Sequence, residues 1–192
     1  MEKPKTIETI IYGGAFNPPT LAHIAILQAC VDYARPRGAD VWVMPSGDRT
    51  DKSINESRER RLEMIEAMIA DVDSEGVQTG ILETELDRSV AVETFDTVLE
   101  LSDGHTDREF TWVFGTDSTE TMVDWHEGEW LLENISMLVT ERPGYCVNPM
   151  ARHAVALTIP LLNVSSTMAR ERLAAHESIE DISGPRIAAL FA

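Results

Sequence analysis

The chain has 192 residues, a formal net charge of −17 and 43% hydrophobic residues. That length suits one domain, or one with a small appendage, and the composition is ordinary for a globular protein. The acidity excludes a general nucleic-acid surface, which needs clustered Lys and Arg. No apolar run reaches the roughly 18 residues of a membrane span.

The opening "MEKPKTIE" carries charges with no long apolar segment behind it, which argues against a secretory signal. Next, "TIETIIYGG" reads as a strand ending at Tyr12, and "LAHIAILQACVDYA" as a helix with Ile24, Leu27, Cys30 and Val31 at helical spacing. "ADVWVMPSG" is a short buried strand ending at Pro45. The segment "SGDRTDKSINES" is the best candidate for a mobile loop. "ESRERRLEMIEAMIADV" is a helix with one charged face and Leu62, Ile65, Met68 and Ile69 on the other. "VQTGILETEL" reads as a strand, "VETFDTVLELS" as a helix, and "REFTWVFGTDS" as a strand ending at a glycine. "DWHEGEWLLENI" is loop and helix, "SMLVTERPGY" strand then turn, and "HAVALTIPLLNV" the last extended pieces. "SSTMARERLAAH" and a short "SGPRIAALFA" are helices, so residues 166–192 form a C-terminal subregion of a single domain. Cys30 and Cys146 lie far apart without metal-type spacing, as reduced thiols of a cytoplasmic protein do.

Alternating strands and helices predict an α/β fold: a Rossmann-like, doubly wound, mostly parallel sheet with helices on both faces. Ligands bind such sheets beyond the carboxyl ends of the strands, so chemistry is expected there. Gly13 and Gly14 leave the first strand and let backbone N–H groups approach a ligand. Alone they fit a plain tight turn equally well, and neither G-x-G-x-x-G nor G-x-x-x-x-G-K-[ST] is present. Pro18 and Pro19 delay the helix, leaving Thr20 as a candidate N-cap with His23 on the same side of the first turn. Helix N-termini favour anions. "SSTMAR" repeats the arrangement, with Ser165, Ser166 and Thr167 at a helix start and Arg170 one turn on. Either start alone is an ordinary capped helix; two in one domain point to a polyphosphate.

These residues carry a resemblance. "GGAFNPPTLAH" resembles the G-G-[TS]-F-[DN]-P-x-H-x-G-H signature of the nucleotidyltransferase superfamily related to class I aminoacyl-tRNA synthetases. "SSTMAR" resembles its second signature, I-S-S-T-x-I-R. The stretch from "FGTDSTE" through Trp125 to "RPGY" looks like the G-x-D … W … R-P-G region of bacterial nicotinate mononucleotide adenylyltransferases. Order and spacing agree over nearly the whole chain.

The resemblance implies transfer of the adenylyl group of ATP to nicotinate mononucleotide, giving the dinucleotide and pyrophosphate. It implies Mg2+ carried on the ATP phosphates, with no dedicated metal site. Carried over by position, Gly13, Gly14, Ala15 and Phe16 would offer backbone contacts, and Thr20 and His23 would hold the ATP phosphates. Lys52 falls at the family's basic loop residue, Gly115 and Asp117 at the ribose site, and Ser166, Thr167 and Arg170 at the β- and γ-phosphates. Ser89, Ala91, Trp125, His126 and Arg142 would serve the mononucleotide. On sequence alone Trp125 reads equally well as a half-buried core aromatic. The first histidine of the signature is Thr20 here, as in pantetheine-phosphate adenylyltransferases, and Ala22 replaces the usual glycine. The family's S-Y-T reads "SVA" at 89–91. The acceptor therefore stays open among nicotinate mononucleotide, nicotinamide mononucleotide and another phosphate ester such as phosphopantetheine. A nucleotide-binding protein without catalysis also stays open. No membrane or nucleic-acid partner is expected, and the sequence does not decide between monomer and homo-oligomer.

Overall fold

The computed structural model describes residues 6–47, 56–88 and 92–192. Lys52, Ser89 and Ala91, with most of the expected mobile loop, lie outside the described residues. Strands β1 (Ile7–Gly14), β2 (Asp40–Pro45), β3 (Thr79–Ile81), β4 (Arg108–Gly115), β5 (Ser136–Thr140) and β6 (Ala154–Leu157) form one sheet. Its order is β3-β2-β1-β4-β5-β6, and every neighbouring pair is parallel. Parallel strands need long crossovers, which the helices supply. They are α1 (Leu21–Ala34), α2 (Arg58–Ala70), α3 (Thr94–Gly104), α4 (Thr116–Thr121), α5 (Gly128–Asn134), α6 (Ser166–Ala174), α7 (Glu180–Ser183) and α8 (Pro185–Ala189).

Side chains alternate across the sheet, so each strand feeds two cores. Ile10, Tyr12, Val41, Val43, Val113 and Leu138 pack against Leu27 and Val31 of α1 and Ile65 and Met68 of α2. Ile11, Trp112, Met137 and Val139 pack on the other face against Val98 and Leu101 of α3 and Leu131 and Leu132 of α5. This is the Rossmann-like doubly wound arrangement that the alternation predicts. A third cluster, Ala169, Ile179 and Ile182, holds α6 to α7, and Phe191 touches both it and the first core. Arg186 of α8 pairs with Asp71 at the end of α2 at 2.6 Å.

Some element bounds differ from the sequence reading. Only Thr79–Ile81 of the third strand pairs. Glu83, Glu85 and Asp87 follow at once, and such residues are expelled from a sheet covered on both faces. β1 runs past Tyr12, because Gly13 and Gly14 still pair with Met44 and Pro45 of β2, whereas β4 ends at Gly115 as read. In the last extended region only Ala154–Leu157 pairs, since its partner β5 ends at Thr140, opposite Leu157. The buried residues of α2 are Arg61, Met64, Ile65 and Met68, a rotation away from the expected stripe that leaves Leu62 and Ile69 half-buried. Among the described residues no helix is long and apolar enough to cross a membrane.

Chain connection reverses between β1 and β4: β2 and β3 extend one side of β1, and β4 to β6 the other. A crevice opens beyond the carboxyl ends of strands at such a point.

Candidate active site

Gly13 and Gly14 end β1 beside Met44 and Pro45 of β2. A Cβ on Gly14 would sit 3.0–3.3 Å from the Phe16 ring, so glycine is required there. Phe16 has φ of 47° and is buried, its ring edge-on to Tyr12 at 5.3 Å and His23 at 5.5 Å. It therefore gives the cavity main chain rather than ring. The Asn17–Pro18 peptide is cis. Behind this loop, Nη2 of Arg61 donates to the carbonyls of Ala15 at 3.1 Å and Ser46 at 2.6 Å.

Thr20 is extended, fully buried, and caps α1. Its N–H donates to His23 Nδ1 at 3.0 Å, and its hydroxyl lies 2.8 Å from the same nitrogen. This is a capping box in which imidazole takes the place of Glu. A main-chain N–H can only donate, so Nδ1 carries no proton and the neutral ring carries it on Nε2. Burial, and then the Arg142 cation, lower the His23 pKa to about 4. At neutral pH His23 is an uncharged donor.

Ser165 caps α6, accepting from the Met168 N–H at 3.2 Å. The hydroxyl of Ser166 donates to the Pro18 carbonyl at 2.8 Å, and Ser166 is the first residue of α6, where main-chain N–H groups have no partner within the helix. Arg170 donates from Nη1 to the Asn17 carbonyl at 2.8 Å and from Nη2 to Thr167 Oγ1 at 3.1 Å. The start of α6 is thus fastened to the loop that starts α1.

Across the crevice, Gly115 ends β4 where a Cβ would collide with Asp117 Oδ1 and crowd Arg142 at 3.2–3.3 Å. The Thr116 hydroxyl accepts from the Arg142 N–H at 2.8 Å and fixes the turn after β5. Trp125 is half-buried against Phe114, ring centroids 6.2 Å apart.

These elements enclose a cavity of about 680 Å³. Gly13, Gly14, Ala15, Phe16, His23, Gly115, Asp117, Trp125, Arg142, Ser166, Thr167 and Arg170 all line it. Thr20 and Ala22 do not line it, and Thr20 stands beneath His23 instead. His126 is exposed outside it, edge-on to Phe95 at 5.5 Å. Sequence reasoning missed Met44, Glu85, Thr94 and Trp112 on the wall, and Arg61 behind it. For Arg61 a signal existed: with Met64, Ile65 and Met68 it makes an i, i+3, i+4, i+7 stripe. Among the described residues no group of three His, Cys, Asp or Glu could hold a metal ion.

The chain matches the family described as cytidylyltransferase-like over residues 11–172. It is 32% identical over 172 residues to the "Probable nicotinate-nucleotide adenylyltransferase" of Exiguobacterium sibiricum, covering 88% of this chain and 87% of that protein. A protein of the same description from Salinibacter ruber is 30% identical over 181 residues, with 88% and 87% covered. In fold, the chain is similar to the Plasmodium falciparum nicotinic acid mononucleotide adenylyltransferase solved with NaAD: TM-score 0.78, 24% identity, 96% of this chain and 94% of that one covered.

Proposed function

Because the chain belongs to the cytidylyltransferase-like family and is a nucleotidyltransferase, we propose that it joins ATP to nicotinate mononucleotide, forming nicotinate adenine dinucleotide and pyrophosphate for NAD biosynthesis. The relatives' descriptions support the substrates. The observation that carries the chemistry is that His23, a neutral donor in the first turn of α1, lines the same cavity as Ser166, Thr167 and Arg170 of α6.

An oxygen of the mononucleotide phosphate attacks the α-phosphorus of ATP in line. The bond from that phosphorus to the bridging oxygen breaks, and pyrophosphate leaves with the electron pair. The protein's share is positioning and charge stabilisation. Nε2–H of His23 faces the charge that gathers on the transferring group, and an uncharged donor needs no deprotonation to bind there. Thr20 acts through His23, fixing its tautomer and tilt. The N–H groups at the start of α6, with the Thr167 hydroxyl and the Arg170 guanidinium, receive the β- and γ-phosphates. Gly13 to Phe16 supply backbone, Asp117 the ribose contact, and Trp125 and Arg142 the face for the pyridine ring. Mg2+ would arrive with ATP as part of the substrate and offset phosphate charge; among the described residues the wall carries the carboxylates Glu85 and Asp117. The helices α6 to α8 are a C-terminal subregion of one domain that completes the site. Free thiols at Cys30 and Cys146 fit a reducing cytoplasm.

The test is pyrophosphate release with ATP and each acceptor separately. Turnover with nicotinate mononucleotide well above that with nicotinamide mononucleotide is expected. Equal rates for the two, or turnover only with phosphopantetheine, would replace the acceptor. ATP binding with no pyrophosphate from any acceptor would leave a nucleotide-binding protein.

A further inference from the structure

We propose that Arg61 is a positioning residue for nucleotide binding, holding the β1–α1 loop in its donor-presenting form from behind. The residue stands on α2, is 3% exposed and does not line the cavity. One terminal nitrogen, Nη2, reaches two carbonyls, Ala15 at 3.1 Å and Ser46 at 2.6 Å. That nitrogen has two hydrogens, one for each carbonyl.

Two consequences follow from covalent geometry. The Ala15–Phe16 peptide is trans and planar, so its C=O and N–H point opposite ways. Gripping the Ala15 carbonyl on the α2 side turns the Phe16 N–H away from Arg61. Phe16 also holds φ at 47°, a conformation that a non-glycine residue keeps only under constraint. The second carbonyl belongs to Ser46, whose own N–H donates to Gly14 at 2.9 Å. Arg61 therefore ties the ends of β1 and β2 together at the mouth of the crevice. Its buried cation also stands behind a loop that faces phosphates, where a fixed positive charge favours an anion.

The inference rests on the adenylyltransferase reading, but its test does not depend on the acceptor. The dissociation constant of MgATP is measured by calorimetry for the wild type, Arg61→Lys, Arg61→Met and Met64→Ala, each with a melting temperature and a kcat. Met64 is a fully buried neighbour on α2, so its truncation loosens the helix without touching the two carbonyls. In Arg61→Met, MgATP affinity and kcat per folded molecule fall roughly ten- to a hundredfold. Arg61→Lys, which keeps charge but not the fork, recovers part of that loss. Met64→Ala lowers the melting temperature and keeps affinity and kcat per folded molecule. If Arg61→Met does not fold, a loss of affinity in Arg61→Lys decides in favour. Arg61 variants within twofold of wild type in affinity, or an equal loss in Met64→Ala, overturn the proposal. A wild type that binds MgATP but transfers nothing removes the adenylyltransferase reading alone. A wild type that does not bind MgATP removes both.

Discussion

His23 is a donor because Thr20 makes it one. The Thr20 N–H occupies Nδ1, and burial keeps the ring neutral with its pKa lowered to about 4 from the ordinary 6.5. Between those two values the unfolded chain takes up a proton that the folded chain refuses. This residue therefore costs the fold stability as pH falls from 6.5 towards 4, and its contribution levels off below that. Unfolding midpoints measured in urea across this window should fall with pH, with a shallower slope in His23→Ala. Turnover should show no inflection near 6.5 that His23→Ala removes. His23→Ala itself should lower kcat by roughly two orders of magnitude or more while circular dichroism stays unchanged. Thr20→Val keeps the N–H and loses only the hydroxyl, so kcat should drop by roughly three- to tenfold. Much of this was legible in sequence: a hydroxyl residue at the N-cap and an imidazole three residues on are visible in "TLAH". What was not legible is which group faces the cavity, because a sequence does not say that Thr20 is fully buried.

At the scale of elements, the strands that could be read are those buried on both faces, where runs such as "TIIY" and "DVWVM" have no polar interruption. β3 was the hardest, since three paired residues leave too little pattern to delimit. Arg61 hid in the run "SRERR", where a charge reads as solvated and only the stripe with Met64, Ile65 and Met68 tells otherwise. Gly128 was also hidden. It opens α5 against the Met122 carbonyl so closely that any Cβ would overlap that oxygen. Gly128→Ala should destabilise the protein by about 1–3 kcal/mol, as overpacking does. The check is a denaturant melt alongside kcat per folded molecule, which should change little.

For the whole molecule, the net charge of −17 is the property read most directly and explained least by the site. A compact body of one sign repels itself, and salt screens that repulsion. Raising salt from about 0.05 M to about 1 M shortens the Debye length to about 3 Å. The melting temperature should therefore rise, while MgATP affinity, which depends on local cations, falls. A melting temperature that does not move would show that the acidic groups are already balanced by neighbours. One further property follows from the bonds of Ser166 to Pro18 and Arg170 to Asn17. During synthesis the amino-terminal partners emerge early and wait for the carboxyl-terminal ones to be translated. At roughly 5–20 residues per second, the delay is many seconds. Throughout it the nascent chain has the start of α1 and lacks the start of α6 that fastens to it. A chain released before residue 170 should therefore bind MgATP more weakly than the whole chain, which calorimetry on a version truncated before Ser165 would check.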